Sequence, residues 1–269
     1  MSRVCVRRSR GRRAVSAVLL ALGVFLGLDG LIVEPYALEL TSHAITARVD
    51  APLRLVHLSD LHTSGFGRRE RRLVELVDDA RPDVIVVTGV VVDGGDLEPA
   101  REVLRRLHAP LGVFVVRGNW ENWKRPPGEA AFYTSVGATL LVNEGRLLRP
   151  DIWIAGLDDP MSGFANLTTA QRGAPDGALR LVLFHSPEYF DGAASNIDLA
   201  FAGHTHGGQI RVPFIGPLWK PPGSGRFLEG WYTASSARML VSRGAGTSIL
   251  PIRLFCPPEI ARVDIRPGR

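Results

Sequence analysis

Short apolar runs of strand length recur along the chain and restrict its fold more than any other feature of the sequence. Six of them, rich in Val, Ile, Leu and Phe, occupy residues 53–58, 83–88, 112–117, 152–156, 179–184 and 198–203. Their apolar residues do not alternate with polar ones, which is typical of strands buried on both faces. The sequence therefore predicts a layered α/β domain.

Segments with helical or loop character separate these runs. In residues 68–80, Leu73, Leu76, Val77 and Ala80 recur at helical spacing, and Pro82 follows them, so this segment is predicted to be a helix. Residues 99–107 and 129–136 are predicted as shorter helices. The Pro- and Gly-rich residues 213–226 are typical of a long surface loop or hairpin.

The N-terminal region predicts a membrane anchor. Residues 1–13 form a basic tail with six Arg, and residues 14–33 are almost entirely apolar, a length that can just cross a bilayer as a helix. An uncleaved anchor is favoured over a cleaved signal peptide or an interfacial helix, because no small-residue cleavage site follows the apolar run. Residues 34–52 are then predicted as a linker, and residues 53–269 as the main domain.

The charge of the chain is concentrated in its tail. The net charge is +5, but the tail holds six of the 32 basic side chains and no acidic one. Residues 14–269 contain the remaining 26 basic side chains and all 27 acidic ones. This main part of the chain therefore has no excess of positive charge, and no nucleic-acid partner is expected. The tail places the N-terminus in the cytoplasm by the positive-inside rule, and the main domain would face the periplasm or the outside of the cell membrane.

Residues with metal-ligand chemistry follow most of the predicted strands. They are Asp60, His62, Asn119, His185, His204 and His206. Because the carboxyl ends of strands in an open α/β sheet meet at one crevice, these side chains can converge in space. Carboxylate, imidazole and amide oxygen together suit Mn, Zn, Fe or Mg ions. Each residue alone has an ordinary structural explanation, whereas the joint pattern indicates a metal site.

Four segments carry these residues, and a fifth, PDVIVVTGVVVDGG, lies between the first and the second: LSDLHTS, VRGNWENW, LFHSPEYF and AGHTHGGQIRVP follow one another in a fixed order. In this order they resemble the motifs of the calcineurin-like metallophosphoesterase superfamily. The resemblance is strongest to a bacterial membrane-associated branch that includes UDP-2,3-diacylglucosamine pyrophosphatases of lipid A biosynthesis. It implies a four-layer αββα sandwich, here preceded by the anchor helix, and a hydrolase with two divalent metal ions, with Mn favoured.

The resemblance also implies residue roles. Asp60, His62 and His206 correspond to ligands of the first metal, and Asn119, His185 and His204 to ligands of the second. Asn119 and His204 are expected to serve catalysis as well. Asp158 and Arg243 are candidate substrate contacts.

Two positions depart from the family. The motif G-D-x-x-D reads Gly89-Val90-Val91-Val92-Asp93, so Val90 replaces the carboxylate that bridges the two metals, and one metal is expected to be weakly bound or absent. Trp120 replaces a His that protonates the leaving group in many relatives. Asp93 is expected to support the site, and Glu121 is a candidate to act through water.

These observations lead to two functional hypotheses. The first is a membrane-associated phosphoesterase or pyrophosphatase that acts on a lipid-linked phosphate, such as UDP-2,3-diacylglucosamine, with its activity impaired by Val90. The second is a catalytically weakened relative that binds a phosphorylated ligand or a partner. A UDP-linked lipid would require the domain to lie on the cytoplasmic face, in conflict with the charge rule.

Overall fold

Two six-stranded β-sheets form the body of the protein in a computed structural model that describes residues 5–268, with side chains described from residue 11. The first sheet has the order β1 (Glu39–Ala47), β14 (Glu259–Pro267), β2 (Leu53–Leu58), β3 (Val84–Thr88), β4 (Val113–Val116) and β5 (Ala138–Leu140). Its strands pair in parallel except for β14 with β2.

The second sheet has the order β12 (Gly230–Ala234), β13 (Ala237–Val241), β9 (Leu199–Ala202), β8 (Leu179–Leu183), β7 (Ile152–Gly156) and β6 (Glu144–Arg149). Its four central strands are parallel, and each edge strand pairs antiparallel. A separate small hairpin joins β10 (Arg211–Val212) to β11 (Gly216–Pro217). It overlaps the predicted loop or hairpin of residues 213–226, and β10 lies just before that range.

The helices are α1 (Cys5–Leu28), α2 (Arg68–Ala80), α3 (Arg101–Arg105), α4 (Asn119–Lys124), α5 (Glu129–Ser135), α6 (Leu167–Ala170) and α7 (Phe190–Ala193). Helix α2 has the bounds that its apolar spacing predicts, and its four recurring apolar residues are all buried. Burial of Leu73, Leu76 and Val77 stabilises the fold by about 1.5–3 kcal/mol for each side chain.

The apolar core consists of three clusters, which lie on different faces of the two sheets. In β3, Ile85 and Val87 pack in a cluster with helix α2, whereas Val84 and Val86 belong to a cluster that contains strands of both sheets. A third cluster joins the second sheet to α7. Successive residues of a strand point to opposite faces, so continuous apolar runs can serve both clusters. The predicted α/β class is confirmed.

The N-terminal region differs from the prediction. Residues 34–52 are predicted as a linker, but β1 lies within them and pairs with β14 over nine residues. The mixed polar and apolar residues of this segment fit an edge strand, whose outer side is solvated. Residues Gly11–Tyr36 form one helical stretch long and apolar enough to cross a bilayer, although signal sequences share these properties. Residues 1–4 of the predicted basic tail lie outside the described part.

Candidate metal centre

The predicted ligands lie at the carboxyl ends of strands in both sheets. Asp60 and His62 follow β2, and Asn119 begins α4 shortly after β4. In the second sheet, His185 follows β8, and His204 and His206 follow β9. All six side chains are buried. The structure therefore brings together residues that are spread over almost 150 positions.

Asp60, His62 and His206 form the tightest group. The atoms with which these three side chains could bind a metal ion all lie within 4.8 Å of one another. Asp60 Oδ1 is 3.3 Å from His206 Nε2, and His206 Nε2 is 3.2 Å from His62 Nε2. Two ligands held at about 2.1 Å from one ion lie roughly 3 to 3.5 Å apart, so these spacings fit a shared cation.

The buried carboxylate of Asp60 supports this fit. Its Oδ2 accepts hydrogen bonds from Ser59 and from the backbone N–H of His204, whereas its Oδ1 is buried and has no hydrogen-bond partner in the described part of the chain. An unpartnered buried oxygen of a charged group costs several kcal/mol. A divalent ion at this point would remove that cost.

Asn119, His185 and His204 form a neighbouring group. Asn119 Oδ1 is 3.0 Å from His185 Nε2, and His185 Nε2 is 3.2 Å from His204 Nδ1. His185 Nε2 is also 3.8 Å from Asp60 Oδ1, which connects the two groups. The arrangement offers donors for a second ion beside the first.

Three of the four histidines use one ring nitrogen as a donor and turn the other toward the centre. The outer contacts are His62 Nδ1 with the carboxylate of Asp93, His185 Nδ1 with the carbonyl of Thr88 at 2.6 Å, and His204 Nε2 with the carbonyl of Pro222 at 2.6 Å. Because these oxygens only accept, each outer nitrogen carries the proton and each inner nitrogen presents a lone pair. Lone pairs that face one another favour a cation between them.

Burial favours the neutral form of the imidazoles, which is the form that binds a metal ion. Desolvation lowers the pKa of His206 to about 4, although the charge of Asp60 works in the opposite direction. It likewise lowers the pKa of His204 to about 4. Burial would raise the pKa of the Asp60 carboxyl, but the neighbouring histidines, His206 first, outweigh it and hold that pKa well below its usual range. Neutral imidazoles and an ionised carboxylate are the forms that bind metal.

The backbone at the centre is strained. Five non-glycine residues there have left-handed φ values: Asp60 at 51°, His62 at 44°, Val90 at 49°, His204 at 71° and His206 at 51°. Such conformations cost about 1–3 kcal/mol each and persist where the surrounding structure enforces them, often at functional sites. The adjoining Gly89 has φ 84°, and a Cβ there would lie 2.8 Å from His185 Nδ1, so a larger residue would displace a ligand.

Val90 stands where the resemblance implies a bridging carboxylate. Its backbone carbonyl accepts a hydrogen bond from the N–H of His62 at 3.2 Å, and the residue is only 1% exposed. A β-branched residue is a clear outlier in the left-handed region, which Asp and Asn adopt more readily. Asp93, the family's second acidic residue in this motif, lies against the outer nitrogen of His62 and not between the two groups.

Glu121, the candidate to act through water, lies behind the metal centre in a network of backbone hydrogen bonds. Its buried carboxylate accepts hydrogen bonds from the backbone N–H groups of Val90, Val91 and Gly118, at 2.8 to 3.1 Å. These contacts hold the loop after β3 against the start of α4. These contacts give Glu121 a positioning role for the Val90 loop, and its action through water stays a prediction.

Asp158 and Arg243 are also placed differently from the prediction. The carboxylate of Asp158 accepts from Asn122 at 2.9 Å and from the N–H of Phe164 at 3.0 Å, which shapes its own loop. Arg243 forms an ion pair with Glu39 at 2.8 Å. Neither belongs to the described residues that line the cavity above the metal centre.

The metal centre lies at the bottom of a cavity of about 680 Å³ whose walls are mainly apolar. Trp120 and Trp123 both line it, and Trp123 is 57% exposed. Other apolar residues on its wall are Met161, Ile210, Leu218, Trp219, Ile249 and Leu250. Leu218 and Trp219 lie in the predicted loop of residues 213–226, whereas sequence reasoning missed the other four, whose only local signal is that they are apolar residues in loops.

Comparisons with known proteins agree with this geometry. The family described as "Calcineurin-like phosphoesterase" matches residues 53–208, more than half of the chain. The "Uncharacterized metallophosphoesterase YkuE" of Bacillus subtilis is 32% identical over 248 residues, covering 84% of this chain and 85% of that protein. The "Phosphodiesterase YaeI" of Escherichia coli is 28% identical, covering 86% and 90%. A "Transmembrane protein with metallophosphoesterase domain" of Danio rerio is 29% identical, covering 80% and 53%.

Proposed function

The chain belongs to the calcineurin-like phosphoesterase family and is a phosphoester hydrolase, and from this premise we propose that it is a membrane-associated, divalent-metal-dependent hydrolase of a lipid-linked phosphoester or pyrophosphate. The observation that carries the proposal is the unpartnered Oδ1 of Asp60, which faces histidine lone pairs at the bottom of an apolar cavity. The three core clusters support the four-layer αββα order that the resemblance implies.

We assign the ligands in two groups. Asp60, His62 and His206 would hold one ion, with Mn favoured, and Asn119, His185 and His204 would hold a second. Such ions lower the pKa of water, orient the phosphoester and neutralise developing charge. Asp93 fixes the ring of His62, and Glu121 fixes the loop of Val90. Because Val90 supplies no anion between the two groups, the second ion is the weaker one.

The substrate class follows from the residues around the centre. Trp120 offers no acid to a departing oxygen, which favours a leaving group of low pKa, such as the phosphate of a pyrophosphate or an activated diester. Apolar walls favour acyl chains beside that phosphate. The name of the phosphodiesterase relative agrees with a diester, and UDP-2,3-diacylglucosamine is one substrate that combines both features.

The N-terminal helix supports the membrane part of the proposal. It is the one described helix long and apolar enough to serve as an anchor, and one relative is named as a transmembrane protein. The basic tail directs the domain to the periplasmic or outer side, whereas a UDP-linked lipid requires the cytoplasmic face.

The second candidate function is a weakened relative that binds a phosphorylated ligand without turnover. Val90 is the observation that favours it, since an isopropyl group cannot ligate a metal.

Restoring the carboxylate tests both candidates. In Val90→Asp, the affinity for a second Mn equivalent and the rate of bis-p-nitrophenyl phosphate hydrolysis are expected to rise by roughly tenfold or more, since even outer-shell partners change metal affinity by about 10- to 100-fold. Val90→Asn is the matched control, because it suits the same backbone conformation without adding charge. Metal titration and steady-state rates are the measurements.

Three outcomes separate the interpretations. A rise in Val90→Asp alone supports an enzyme limited by the missing carboxylate. If the unaltered chain already binds two Mn ions and its rate equals that of Val90→Asp, the role given to Val90 is wrong. Absent hydrolysis in all three proteins favours the binding function.

A further inference from the structure

The rim of the cavity carries large apolar side chains that point into solvent. They come from two segments: Phe214, Ile215, Leu218 and Trp219 on and after the β10–β11 hairpin, and Ile249 and Leu250 near the C-terminus. Phe214 is fully exposed and Ile249 is 79% exposed. Side chains this exposed contribute little to folding, and a contiguous patch of them marks a contact surface.

This rim, defined as residues 214–219 and 249–250, is held in place by the fold. The side-chain amide of Gln209 donates to the carbonyls of Ser248 at 3.1 Å and Leu250 at 3.0 Å. The N–H of Leu218 donates to the carbonyl of the adjoining Ile210 at 3.0 Å, so both segments are fixed to the chain just before β10. Phe214 and Ile249 have left-handed φ values of 69° and 63°, conformations that are costly for bulky residues. These two exposed side chains are therefore held on backbone that is strained.

The rim continues into the end of the anchor helix. The N–H of Arg253 donates to the carbonyl of Gly30 at 2.9 Å, and the carboxylate of Glu34 accepts from the N–H groups of Phe255, at 2.8 Å, and Cys256. From Gly30 to Glu34 a helix rises only about 6 Å. If the apolar helix spans a bilayer, no spacer separates it from the segment that bears Ile249.

Basic side chains flank the same exit point. Arg68, Arg71 and Arg72 at the start of α2 are exposed, and Arg68 lies over the ring of Tyr36, 5.7 Å from its centroid. Tyrosine and arginine at the end of an apolar helix suit the headgroup region of a membrane, where anionic lipids attract the cations.

We propose that the rim inserts into the surface of an anionic bilayer, so that the mouth of the cavity opens directly onto lipid. The proposal rests on the membrane association in the proposed function, and it goes further by assigning the surface that makes contact. A substrate would then enter with its acyl chains still among those of the bilayer and its phosphate directed toward Asp60.

The test uses the full chain with Cys5→Ser in vesicles of equal parts phosphatidylcholine and phosphatidylglycerol. A polarity-sensitive fluorophore is attached at Phe214→Cys or at Ile249→Cys, and at Asp176→Cys as the control. Cys256 is buried and remains. Asp176 is exposed and precedes β8, at the sheet end opposite the metal centre. Nitroxides on the lipid chains and iodide in the water serve as the two quenchers.

The fluorophores at positions 214 and 249 are expected to be quenched at least twofold more by the lipid nitroxide than the one at 176, and correspondingly less by iodide. In Phe214→Ser with Ile215→Ser, the lipid quenching at 249 should fall at least twofold, because the insertion loses its apolar tip. These two residues lie outside the cavity lining, so hydrolysis of the water-soluble bis-p-nitrophenyl phosphate should be unchanged.

Equal iodide quenching at all three positions overturns the proposal. Protection from both quenchers at 214 and 249, with crosslinking between copies, also overturns it, because a second protein chain would then cover the rim. Hydrolysis is measured on the same samples. If hydrolysis occurs while the rim is accessible to iodide, the proposed hydrolase function stands and the membrane contact of the rim is wrong. If the rim is quenched by the lipid nitroxides but no hydrolysis occurs, the membrane contact stands and the proposed hydrolase function is wrong.

Discussion

At the residue scale, a single buried carboxylate organises the loop that departs most from the family. Glu121 is 2% exposed and accepts three backbone hydrogen bonds, two of them from the Val90–Val91 segment. Hydrogen bonds to a charged acceptor contribute about 1.5–3 kcal/mol each. The loop can therefore keep its strained conformation even though valine disfavours it.

Replacing Glu121 separates a positioning role from an acidic one. In Glu121→Gln, the neutral amide oxygen is a weaker acceptor than the carboxylate, and the side-chain N–H₂ group would face backbone N–H groups, which are also donors. The free energy of unfolding should therefore fall by about 1.5–3 kcal/mol. Urea unfolding measures this change. The exposed Glu144→Gln is the control and should change stability by less than about 0.5 kcal/mol. Unchanged stability together with loss of the basic limb of the pH–rate profile would show that Glu121 acts as an acid.

At the scale of elements, β1 makes the segment after the apolar N-terminal helix part of the first sheet. It pairs with β14 from Glu39 to Ala47, and Leu38 and Ile45 are buried beside it. It also covers β14, which would otherwise be a sheet edge with unpaired backbone groups. Uncovered edges promote association between chains.

Two truncations test the contribution of β1. A chain that starts at residue 34 keeps the strand, whereas one that starts at residue 49 loses it together with the burial of Leu38 and Ile45. At about 1.5–3 kcal/mol for each buried aliphatic side chain, the shorter chain should be several kcal/mol less stable in urea. Light scattering should also detect its association through the bared edge of β14. Equal stability of the two chains would mean that the segment is a linker after all.

At the scale of the whole molecule, packing the two sheets together buries imidazoles that would be mostly charged in water below about pH 6.5. Burial lowers the pKa of His57 to about 3 and the pKa values of His204 and His206 to about 4. An unperturbed histidine has a pKa of about 6.5. Between about pH 4 and 6.5 the unfolded chain therefore binds more protons than the folded one.

The metal-free protein should accordingly become more stable as the pH rises from about 4.5 to 6.5. Each proton bound only by the unfolded state contributes a slope of up to about 1.4 kcal/mol per pH unit. The lowered pKa of Asp60 acts with the same sign at lower pH. Urea unfolding in the presence of a chelator measures the slope, which should flatten above pH 7. Stability that is constant or falls over this range would contradict the burial of neutral imidazoles.

Much of the fold and the choice of ligand types were determined by the sequence alone. Continuous apolar runs specify strands buried on both faces, because side chains alternate along a strand. The pairs Asp60 with His62 and His204 with His206 are separated by one residue, so local geometry alone places each pair at one strand end. The identity of the donor atoms, and the lack of one at Val90, can be read directly from the residues.

Only the tertiary structure decided which other polar residues serve the site and which apolar residues remain exposed. Glu121 meets Val90 across 31 positions, and Arg243 meets Glu39 across 204, so both are occupied by partners that no local pattern indicates. Phe214 and Ile249 look like core residues until the fold leaves them at the rim. Burial and hydrogen-bond partners depend on contacts between distant segments, and these contacts exist only once the two sheets have packed together.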